Sequence, residues 1–594
     1  GSSLVGSEMC IRDSIGSHKD LLPYLVRRLL ENGANSSFIN RLLDPETDSA
    51  WLAENPYERL KKETKDIPVP KKIFFDRENS SGKDISEIEN LEDLKSKIDN
   101  FSGLKVDAES IYAGRLDTNN TEEKAFSISN KCEIGTITLD DPIQIKKALE
   151  KDTLDEWKEI EVNERAKILN LIADDLENNP YELIYFLINE AGKTIQNAID
   201  EIREAVDFLR YYSSRSIELF NNTELNGPTG EDNQMSFTPK GTFLCISPWN
   251  FPVAILIGQI SAALSCGNRV IVKPSEYSSI LGYLVVKKFH DHGVPISALS
   301  LILGDGLYGD FLTKISPLHG VAFTGSLPTA KKIQANIIDN QNQIIPLIAE
   351  TGGINTMIVD SSALLEQVTD DVVRSAFDSA GQRCSALRVL CVQEEIYDDL
   401  KDMIIGNMQI QTVGDPNFFD TDIGPIINDK AYKKLTSYIS LCSEKGYKIH
   451  QPNQKVSDMH IAPTLIEINS ISNITEEQFG PILHILKYSS NEIDELINQI
   501  NRSEYGLTMG IHSRIEARAD YMSSRSNVGN IYINRDMVGA VVGSQPFGGI
   551  GLSGSGFKAG GPNYLLQFVN EKVVSKNSVA FGGNTELLNI QEDL

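Results

Sequence analysis

Apolar runs rich in β-branched residues alternate with helical segments between residues 241 and 360, and this alternation constrains the fold more than any other feature. Six runs predict strands: GTFLCIS (241–247), RVIVK (269–273), SLILG (300–304), GVAFTG (320–325), IIPLIAE (344–350) and NTMIVD (355–360). Strands that are apolar along their whole length are typical of a parallel sheet covered by helices on both faces. We therefore predict an α/β fold whose ligand binds at the carboxyl edge of the sheet.

The rest of the chain carries weaker patterns. Apolar residues recur at helical spacing over residues 154–176 and 181–219. A second alternating region follows over residues 364–408, and a further strand is predicted over 529–534. Residues 54–125 are rich in Lys, Asp, Glu and Asn, which predicts a linker with at most short helices.

Charge and cysteine usage exclude several classes of protein. Asp and Glu total 83 against 56 Lys and Arg, and the net charge of −27 repels nucleic-acid backbones and anionic membranes. The longest apolar run, residues 251–266, is short for a bilayer span. Seven cysteines in 594 residues exclude a disulfide scaffold, and none of them forms a Cys/His cluster with zinc spacing. We expect a cytoplasmic protein without a membrane span, a metal site or a nucleic-acid partner.

One cysteine has surroundings that suit a nucleophile. Cys384 lies in SAGQRCSALRV (379–389), among small residues and directly before Ser385, so that a substrate could reach its sulfur. Cys245, Cys266 and Cys391 instead lie in apolar strands or helices, as structural cysteines do. Cys384 is therefore the candidate catalytic thiol.

Six short motifs around this cysteine occur in a fixed order: PWNFP (248–252), VKPSE (272–276), FTGS (323–326), AETGG (349–353), AGQRC (380–384) and EEQFGP (476–481). Together they resemble the aldehyde dehydrogenase superfamily over about residues 126–594. Longer segments such as QPFGGIGLSGSGFKAGGP are similar to the L-glutamate γ-semialdehyde (pyrroline-5-carboxylate) dehydrogenase half of bifunctional proline utilization A. The resemblance implies the aldehyde dehydrogenase fold, with a parallel Rossmann-like NAD-binding sheet, an α/β catalytic domain and a small β oligomerisation flap.

The resemblance also implies domain boundaries and a homo-oligomer. The NAD-binding domain would span residues 126–345 and include a flap segment at 222–240. The catalytic domain would span residues 346–534. Residues 535–594 would return to the NAD-binding domain and complete the flap.

The N-terminal region resembles a different enzyme. Within residues 18–55, YLVRRLLENGANSSF (24–38) is similar to the last helix of the proline dehydrogenase barrel, in which Arg27 and Arg28 would clamp a carboxylate. The rest of that flavin barrel is missing, so we expect a missing proline dehydrogenase portion and no proline oxidation by this chain. Residues 56–125 would form the linker, and residues 1–17 look like a sequence-assembly artefact or a disordered tail.

The same resemblance assigns the catalytic roles. Cys384 would add to the aldehyde carbon, because hydride leaves a tetrahedral adduct more readily than a free carbonyl. The side-chain amide of Asn250 and the backbone N–H of Cys384 would stabilise the oxyanion. Glu350 would activate water to hydrolyse the thioester, and a partly apolar cleft would raise the pKa of its carboxyl.

The cofactor implied by the resemblance is NAD. Lys273, Ser275 and Glu276 would contact the adenosine ribose, and a carboxylate there disfavours the 2′-phosphate of NADP. By the same resemblance, Gly325 and Ser326, at a strand-to-helix turn, would contact the pyrophosphate. Glu477, with Phe479 packed beside it, would contact the nicotinamide ribose.

Ser385, Gly539 and Ala540 resemble the anchor of this subfamily for the substrate carboxylate, since small residues leave backbone N–H groups accessible. The small-molecule substrate would be L-glutamate 5-semialdehyde. Two alternatives remain open: a dehydrogenase of another acidic semialdehyde, such as succinate semialdehyde, and a non-catalytic binding relic of the fold.

Overall fold

The computed structural model describes residues 69–581 apart from Phe75, 117–119, 152–155, Lys455 and Ala540, together with the isolated positions Val26 and Asn55. The chain divides into two units, residues 1–69 and 70–594, and the second contains the elements below. The predicted helix with Arg27 and Arg28 and the N-terminal tail lie outside the described residues.

Residues 70–125 contain more regular structure than the predicted linker. Helix α1 (Ile88–Asp99), strand β1 (Val106–Glu109) and strand β2 (Thr121–Phe126) lie there. Strand β3 (Glu133–Leu139) pairs in parallel with β1 and antiparallel with β2. Leu94 of α1 and Ala108 of β1 are fully buried in the main core. The apolar pattern does not predict these elements, because each of them buries few side chains. Strand β2, for example, buries only Ala125.

Helices and a short hairpin connect this part to the first large sheet: α2 (Pro142–Lys151), α3 (Val162–Asn178), α4 (Tyr181–Asn189), α5 (Ile195–Leu219), β4 (Thr223–Leu225) and β5 (Glu231–Pro239). The predicted helical pattern over 181–219 is confirmed, with the break between α4 and α5. Helix α5 begins at Thr194, whose hydroxyl accepts a hydrogen bond from the N–H of Asn197 at 3.3 Å. It buries Glu201 among apolar residues, and this side of α5 faces the site described below.

The first large sheet is parallel and has the strand order β10-β9-β6-β7-β8. Its strands are β6 (Thr242–Ile246), β7 (Arg269–Lys273), β8 (Leu299–Leu301), β9 (Gly320–Thr324) and β10 (Leu347–Glu350). The helices after β6 to β9 are α6 (Ala254–Ser265), α7 (Ser279–Asp291), α8 (Gly306–Leu312) and α9 (Leu327–Asn340). Phe243 and Cys245 belong to one apolar cluster and Leu244 and Ile246 to another, so both faces of the sheet are covered, as the sequence predicts.

The second large sheet has the order β13-β14-β15-β12-β11-β17-β18 and is parallel except for the β13–β14 pair. Its strands are β11 (Thr356–Val359), β12 (Val389–Gln393), β13 (Ile449–His450), β14 (Thr464–Glu467), β15 (Ile482–Tyr488), β17 (Thr508–His512) and β18 (Asn530–Ile533), while β16 (Tyr505–Gly506) pairs with β19 (Ile550–Gly551) outside it. The helices are α10 (Leu365–Phe377), α11 (Tyr397–Ile410), α12 (Asp429–Glu444), α13 (Ile493–Arg502) and α14 (Glu516–Arg525).

The division between the two sheets lies slightly later than residue 345. Strand β10 hydrogen-bonds to β9, with Leu347 opposite Val321, so it completes the first sheet, and the second sheet starts at Thr356.

A three-stranded antiparallel sheet forms from β20 (Val569–Asn577), β5 and β4. These strands fall within the two segments predicted for the flap. Val573 and Val574 of β20 are exposed. Among the described residues, no helix is long and apolar enough to cross a membrane.

Candidate active site

The carboxyl edge of the first sheet collects several predicted site residues. Lys273 ends β7, Gly325 follows β9 and Glu350 ends β10. These strands lie in one parallel sheet, so their carboxyl ends meet at the same edge. The backbone N–H of Gly325 donates to the carbonyl of Glu350 at 3.0 Å and joins two of these strand ends directly.

Three of the predicted cofactor residues form a group after β7. The ammonium of Lys273 is buried, donates to the carbonyl of Pro274 at 3.1 Å and lies 3.8 Å from the carboxylate of Glu276. The hydroxyl of Ser275 donates to the same carboxylate at 3.4 Å. Burial lowers the pKa of Lys273. Because an ammonium has three donors and Glu276 is exposed, both side chains retain capacity for a ribose hydroxyl.

The loop before Cys384 has an unusual backbone. Residues 379–381 all adopt left-handed φ angles, of 53°, 55° and 64°. This conformation costs about 1 kcal/mol or more for a residue with a Cβ, so it persists only where the surroundings enforce it. The hydroxyl of Ser379 donates to the amide oxygen of Asn197 at 2.7 Å, and the Asn197 amide donates to Asp378 at 2.8 Å. Helix α5 therefore holds the turn that precedes Cys384.

Arg388 organises the same loop from its other side, and sequence reasoning missed it. Its side chain is 1% exposed, and its guanidinium donates to the carbonyls of Gly381 (2.8 Å), Arg383 (3.0 Å) and Gly480 (3.1 Å) and to the carboxylate of Glu477 (3.1 Å). The sequence signal for this role is an arginine inside the apolar run ALRVLCVQ, because a buried guanidinium needs several hydrogen-bond acceptors around it.

Asn355 is a second residue that sequence reasoning missed. Its side-chain amide donates to the carbonyl of Cys384 at 2.6 Å and to that of Ala386 at 2.9 Å, and its oxygen accepts from the N–H of Thr508 at 3.2 Å. These three bonds fix the peptide on the carboxyl side of Cys384. The sequence signal for this role is a polar residue two positions after the AETGG motif.

One cavity of about 300 Å³ brings the predicted chemistry together. Cys384, Glu350, Ser385 and Gly539 line it, and residues of α5 form another part of its wall. Ala540, the third predicted anchor residue, lies outside the described residues. The nucleophile, the base and two anchor positions thus share one space, although they are up to 189 residues apart in the chain.

Glu350 is enclosed by the glycine-rich loop. The N–H of Gly549 donates to its carboxylate at 2.9 Å. A Cβ at Gly548 or Gly554 would come within 2.6 Å or 2.8 Å of its carboxylate oxygens, so only glycine permits this approach. Burial raises the pKa of Glu350 to about 8, against the opposing effects of Gly549 and Lys558. This is the direction expected of a carboxyl in a partly apolar cleft.

Cys384 is partly buried, and its thiol is not activated by its static surroundings. Burial, with smaller contributions from the carboxylates of Glu477 and Glu350, raises its pKa to about 12, while the N–H of Ser385 opposes them. The thiol is therefore neutral at pH 7 and must give its proton to a base as it attacks. Cys245, Cys266 and Cys391 are fully buried, as expected of structural cysteines.

Asn250 lies against the Cys384 loop but does not line the main cavity. It is 8% exposed, and its amide donates to the carbonyl of Gln382 at 3.0 Å. It lines a smaller neighbouring pocket with Trp249. The side-chain amide has two N–H donors, and one of them is used in this contact.

Glu477 and Phe479 connect the predicted nicotinamide ribose site to Arg388. Besides the contact of Glu477 with Arg388, the ring of Phe479 lies 5.4 Å from the guanidinium carbon and meets Trp249 edge-on at 5.7 Å between centroids. A Cβ at Gly352 would collide with the carboxylate of Glu477, so glycine is required there. Ser326 directly precedes α9, and its hydroxyl shares a hydrogen bond with the hydroxyl of Thr329 at 2.9 Å. The backbone N–H groups at the amino end of α9 therefore follow directly after Gly325.

Two known protein families match parts of this chain. The model of the aldehyde dehydrogenase family matches residues 117–574, and the model of proline dehydrogenase matches residues 5–41. The second match begins inside the N-terminal tail and ends within the segment predicted as a proline dehydrogenase remnant. Members of the aldehyde dehydrogenase family use NAD or NADP.

Similar proteins are of two kinds. The bifunctional protein PutA of Escherichia coli (strain K12) is 41% identical over 95% of this chain, which covers 44% of that protein. The 1-pyrroline-5-carboxylate dehydrogenase of Oceanobacillus iheyensis is 32% identical over 82% of this chain and 95% of its own length. A crystal structure of a bifunctional proline utilization A protein superposes with a TM-score of 0.85 at 40% identity, covering 96% of this chain and 55% of that one. The chain thus spans about half the length of the PutA relatives it matches, and it belongs to the aldehyde dehydrogenase family.

Proposed function

We propose that this chain oxidises L-glutamate 5-semialdehyde, the open form of pyrroline-5-carboxylate, to L-glutamate with NAD. The balanced reaction is semialdehyde + NAD⁺ + H₂O → glutamate + NADH + 2 H⁺. The observation that carries the proposal is the single cavity lined by Cys384, Glu350, Ser385 and Gly539. The names of the similar proteins support the choice of substrate.

Cys384 begins the reaction by forming a C–S bond to the aldehyde carbon. Its proton goes to a base, and the Glu350 carboxylate in the same cavity, with a pKa of about 8, is matched to accept it directly or through water. The backbone N–H of Cys384 and the free N–H of the Asn250 amide stabilise the oxyanion that results.

A thioester on Cys384 remains after oxidation, and Glu350 then serves a second time. After its first proton has passed to solvent, the Glu350 carboxylate takes a proton from water, and the resulting hydroxide adds to the thioester carbonyl. Collapse of this adduct breaks the C–S bond, releases glutamate and leaves a thiolate on Cys384 that takes up a proton again. The close approach of Gly548 and Gly554 keeps the carboxylate in one orientation for this step.

NAD, when bound, accepts the hydride that leaves the adduct. Lys273, Ser275 and Glu276 would hold its adenosine ribose, Gly325 and Ser326 its pyrophosphate, and Glu477 with Phe479 its nicotinamide ribose. The exposed carboxylate of Glu276, already balanced by Lys273 and Ser275, is suited to accept from a 2′-hydroxyl and unsuited to a 2′-phosphate.

Replacing Glu276 with Gln should weaken the preference for NAD over NADP. Removal of one negative charge lowers the repulsion of a 2′-phosphate, and we expect the ratio of kcat/KM for NAD to that for NADP to fall about tenfold. Steady-state kinetics with each dinucleotide measure this ratio, and Glu571→Gln on the exposed flap serves as the charge-matched control. An unchanged ratio would place the adenosine ribose elsewhere.

The substrate is tested by comparing aldehydes. Purified chain supplied with NAD should produce NADH from pyrroline-5-carboxylate with a kcat/KM at least ~100-fold higher than from succinate semialdehyde, because only the first offers an α-carboxylate with an α-ammonium to the anchor. The reverse order would indicate the alternative acidic semialdehyde. Absence of NADH from both, together with no NAD-induced shift in melting temperature, would indicate a non-catalytic relic.

Two further features accompany the proposal. The flap strands β4, β5 and β20 support a homo-oligomer, and the sequence similarity to PutA supports a proline dehydrogenase portion in a longer protein. Cytoplasmic location stays a prediction from composition.

A further inference from the structure

A segment before the first helix contacts the loop that contains Gly539, one of the predicted substrate anchor residues. We call residues 76–81 the strap and residues 538–543 the anchor loop, of which Ala540 lies outside the described residues. The strap is tied to α5 because the N–H and hydroxyl of Ser80 donate to the carboxylate of Asp207 at 2.7 Å and 2.9 Å. Asn79 of the strap and Gly539, Val541 and Val542 of the anchor loop line the same cavity as Cys384.

Arg77 joins the strap to the anchor loop. Its side chain is 4% exposed, and its guanidinium donates to the carbonyl of Val542 at 2.6 Å. The same group lies 3.9 Å from the ring centroid of Phe74 and 4.9 Å from that of Tyr211. Gly543 has a φ of +86°, and a Cβ there would come within 2.8 Å of the guanidinium, so the loop is shaped to receive this side chain.

A buried guanidinium is expensive to desolvate, and burial lowers the pKa of Arg77, with Asp76 and Asp207 opposing that effect. Such a group stays in place only where it makes specific contacts. Gly539, in contrast, has φ of +83° and no described atom within 4 Å of the position of a Cβ. The hydroxyl of Tyr532 donates to the carbonyl of Gly539 at 3.4 Å, and the bond from Arg77 to Val542 restrains the anchor loop at a second point.

We propose that Arg77 is a positioning residue for the substrate carboxylate. Through the Val542 carbonyl it holds the anchor loop so that the backbone N–H of Gly539, which lines the cavity, is available to the substrate carboxylate. This inference rests on the proposed function, and it assigns substrate binding in part to a residue outside the region matched by the aldehyde dehydrogenase family model.

The test compares two aldehydes in Arg77→Met. Methionine retains much of the apolar stem but donates no hydrogen bond, so the KM for glutamate semialdehyde should rise about tenfold, the loss expected for one charged hydrogen bond. kcat should change less than about twofold, and the KM for NAD and the kcat/KM for propanal, which has no carboxylate, should stay within about twofold. Arg77→Lys keeps a donor and should restore part of the affinity.

Arg215→Met is the matched control, because Arg215 also lies over the Tyr211 ring, at 5.6 Å, and ion-pairs with Glu218 on its own helix. We expect this variant to leave kcat and KM for both aldehydes unchanged. Equal losses of kcat/KM for the two aldehydes in Arg77→Met, or an unchanged KM for the semialdehyde, would overturn the inference. Activity of the wild-type chain on the semialdehyde would still support the proposed function. If Arg77→Met does not fold, Arg77→Lys must still show a semialdehyde-specific rise in KM or the inference is wrong. A wild-type chain that oxidises propanal but not the semialdehyde would overturn both.

Discussion

Replacing Cys384 with Ala should reduce NADH production from glutamate semialdehyde by a factor on the order of 10⁴ or more, since loss of a covalent nucleophile removes the whole route through the adduct. NADH absorbance with saturating NAD measures this loss. Because the thiol is neutral and only partly buried, its removal should leave folding and the NAD-induced shift in melting temperature nearly unchanged.

Cys132→Ala is the control for this experiment. Cys132 is exposed and lies outside the residues that line the cavity, so its loss should have no effect on kcat. Substantial turnover by Cys384→Ala would show that another group captures the aldehyde and would remove the basis of the proposed function.

Replacing Glu350 with Gln should separate oxidation from hydrolysis. We expect steady-state kcat to fall about 10²- to 10⁴-fold, as for loss of a general base, while a slower first turnover, in which solvent takes the thiol proton, still releases NADH and leaves a thioester on Cys384. Rapid-mixing absorbance would record this burst, and mass spectrometry of the quenched protein would detect the added acyl group. Loss of both the NADH burst and the steady-state rate would mean that Glu350 acts mainly in thiol deprotonation.

The pH dependence gives an independent measure of the same group. Only the deprotonated carboxyl can accept a proton, and the pKa of Glu350 is raised to about 8, so the rate of hydrolysis should climb as pH rises through about 8 and level off above it. In Glu350→Gln this rise should disappear. A wild-type profile that is flat between pH 6 and 9 would show that another group is the base.

The first sheet was the most predictable part of the molecule. Its strands are apolar on both faces, and a parallel sheet covered on both sides is the arrangement that buries Phe243 and Leu244 together. The motif residues at its carboxyl edge could also be placed, because the ends of parallel strands meet. Glu350 ends β10 at this edge, whereas Cys384 precedes β12 of the second sheet and reaches the same cavity from there.

Other features depend on contacts between distant segments and could not be predicted from local patterns. Strand β1 carries too few apolar residues to stand out, and it is stable only beside β3. The bonds from Arg388 to three carbonyls and the contact of Arg77 with Val542 link residues up to 465 apart. The position of Asn250 beside Gln382 likewise depends on the turn at residues 379–381, whose left-handed conformation the AGQRC motif does not reveal.

Residues 70–116 lie before the match to the aldehyde dehydrogenase family model, which starts at residue 117, yet they are part of the core. Leu94 and Ala108 belong to the main apolar cluster, and Ser80 is bonded to α5. The compact unit is therefore larger than the stretch that the family model matches. A truncation that began at residue 117 would uncover apolar surface of the core, so this segment is a structural component and not a passive tether.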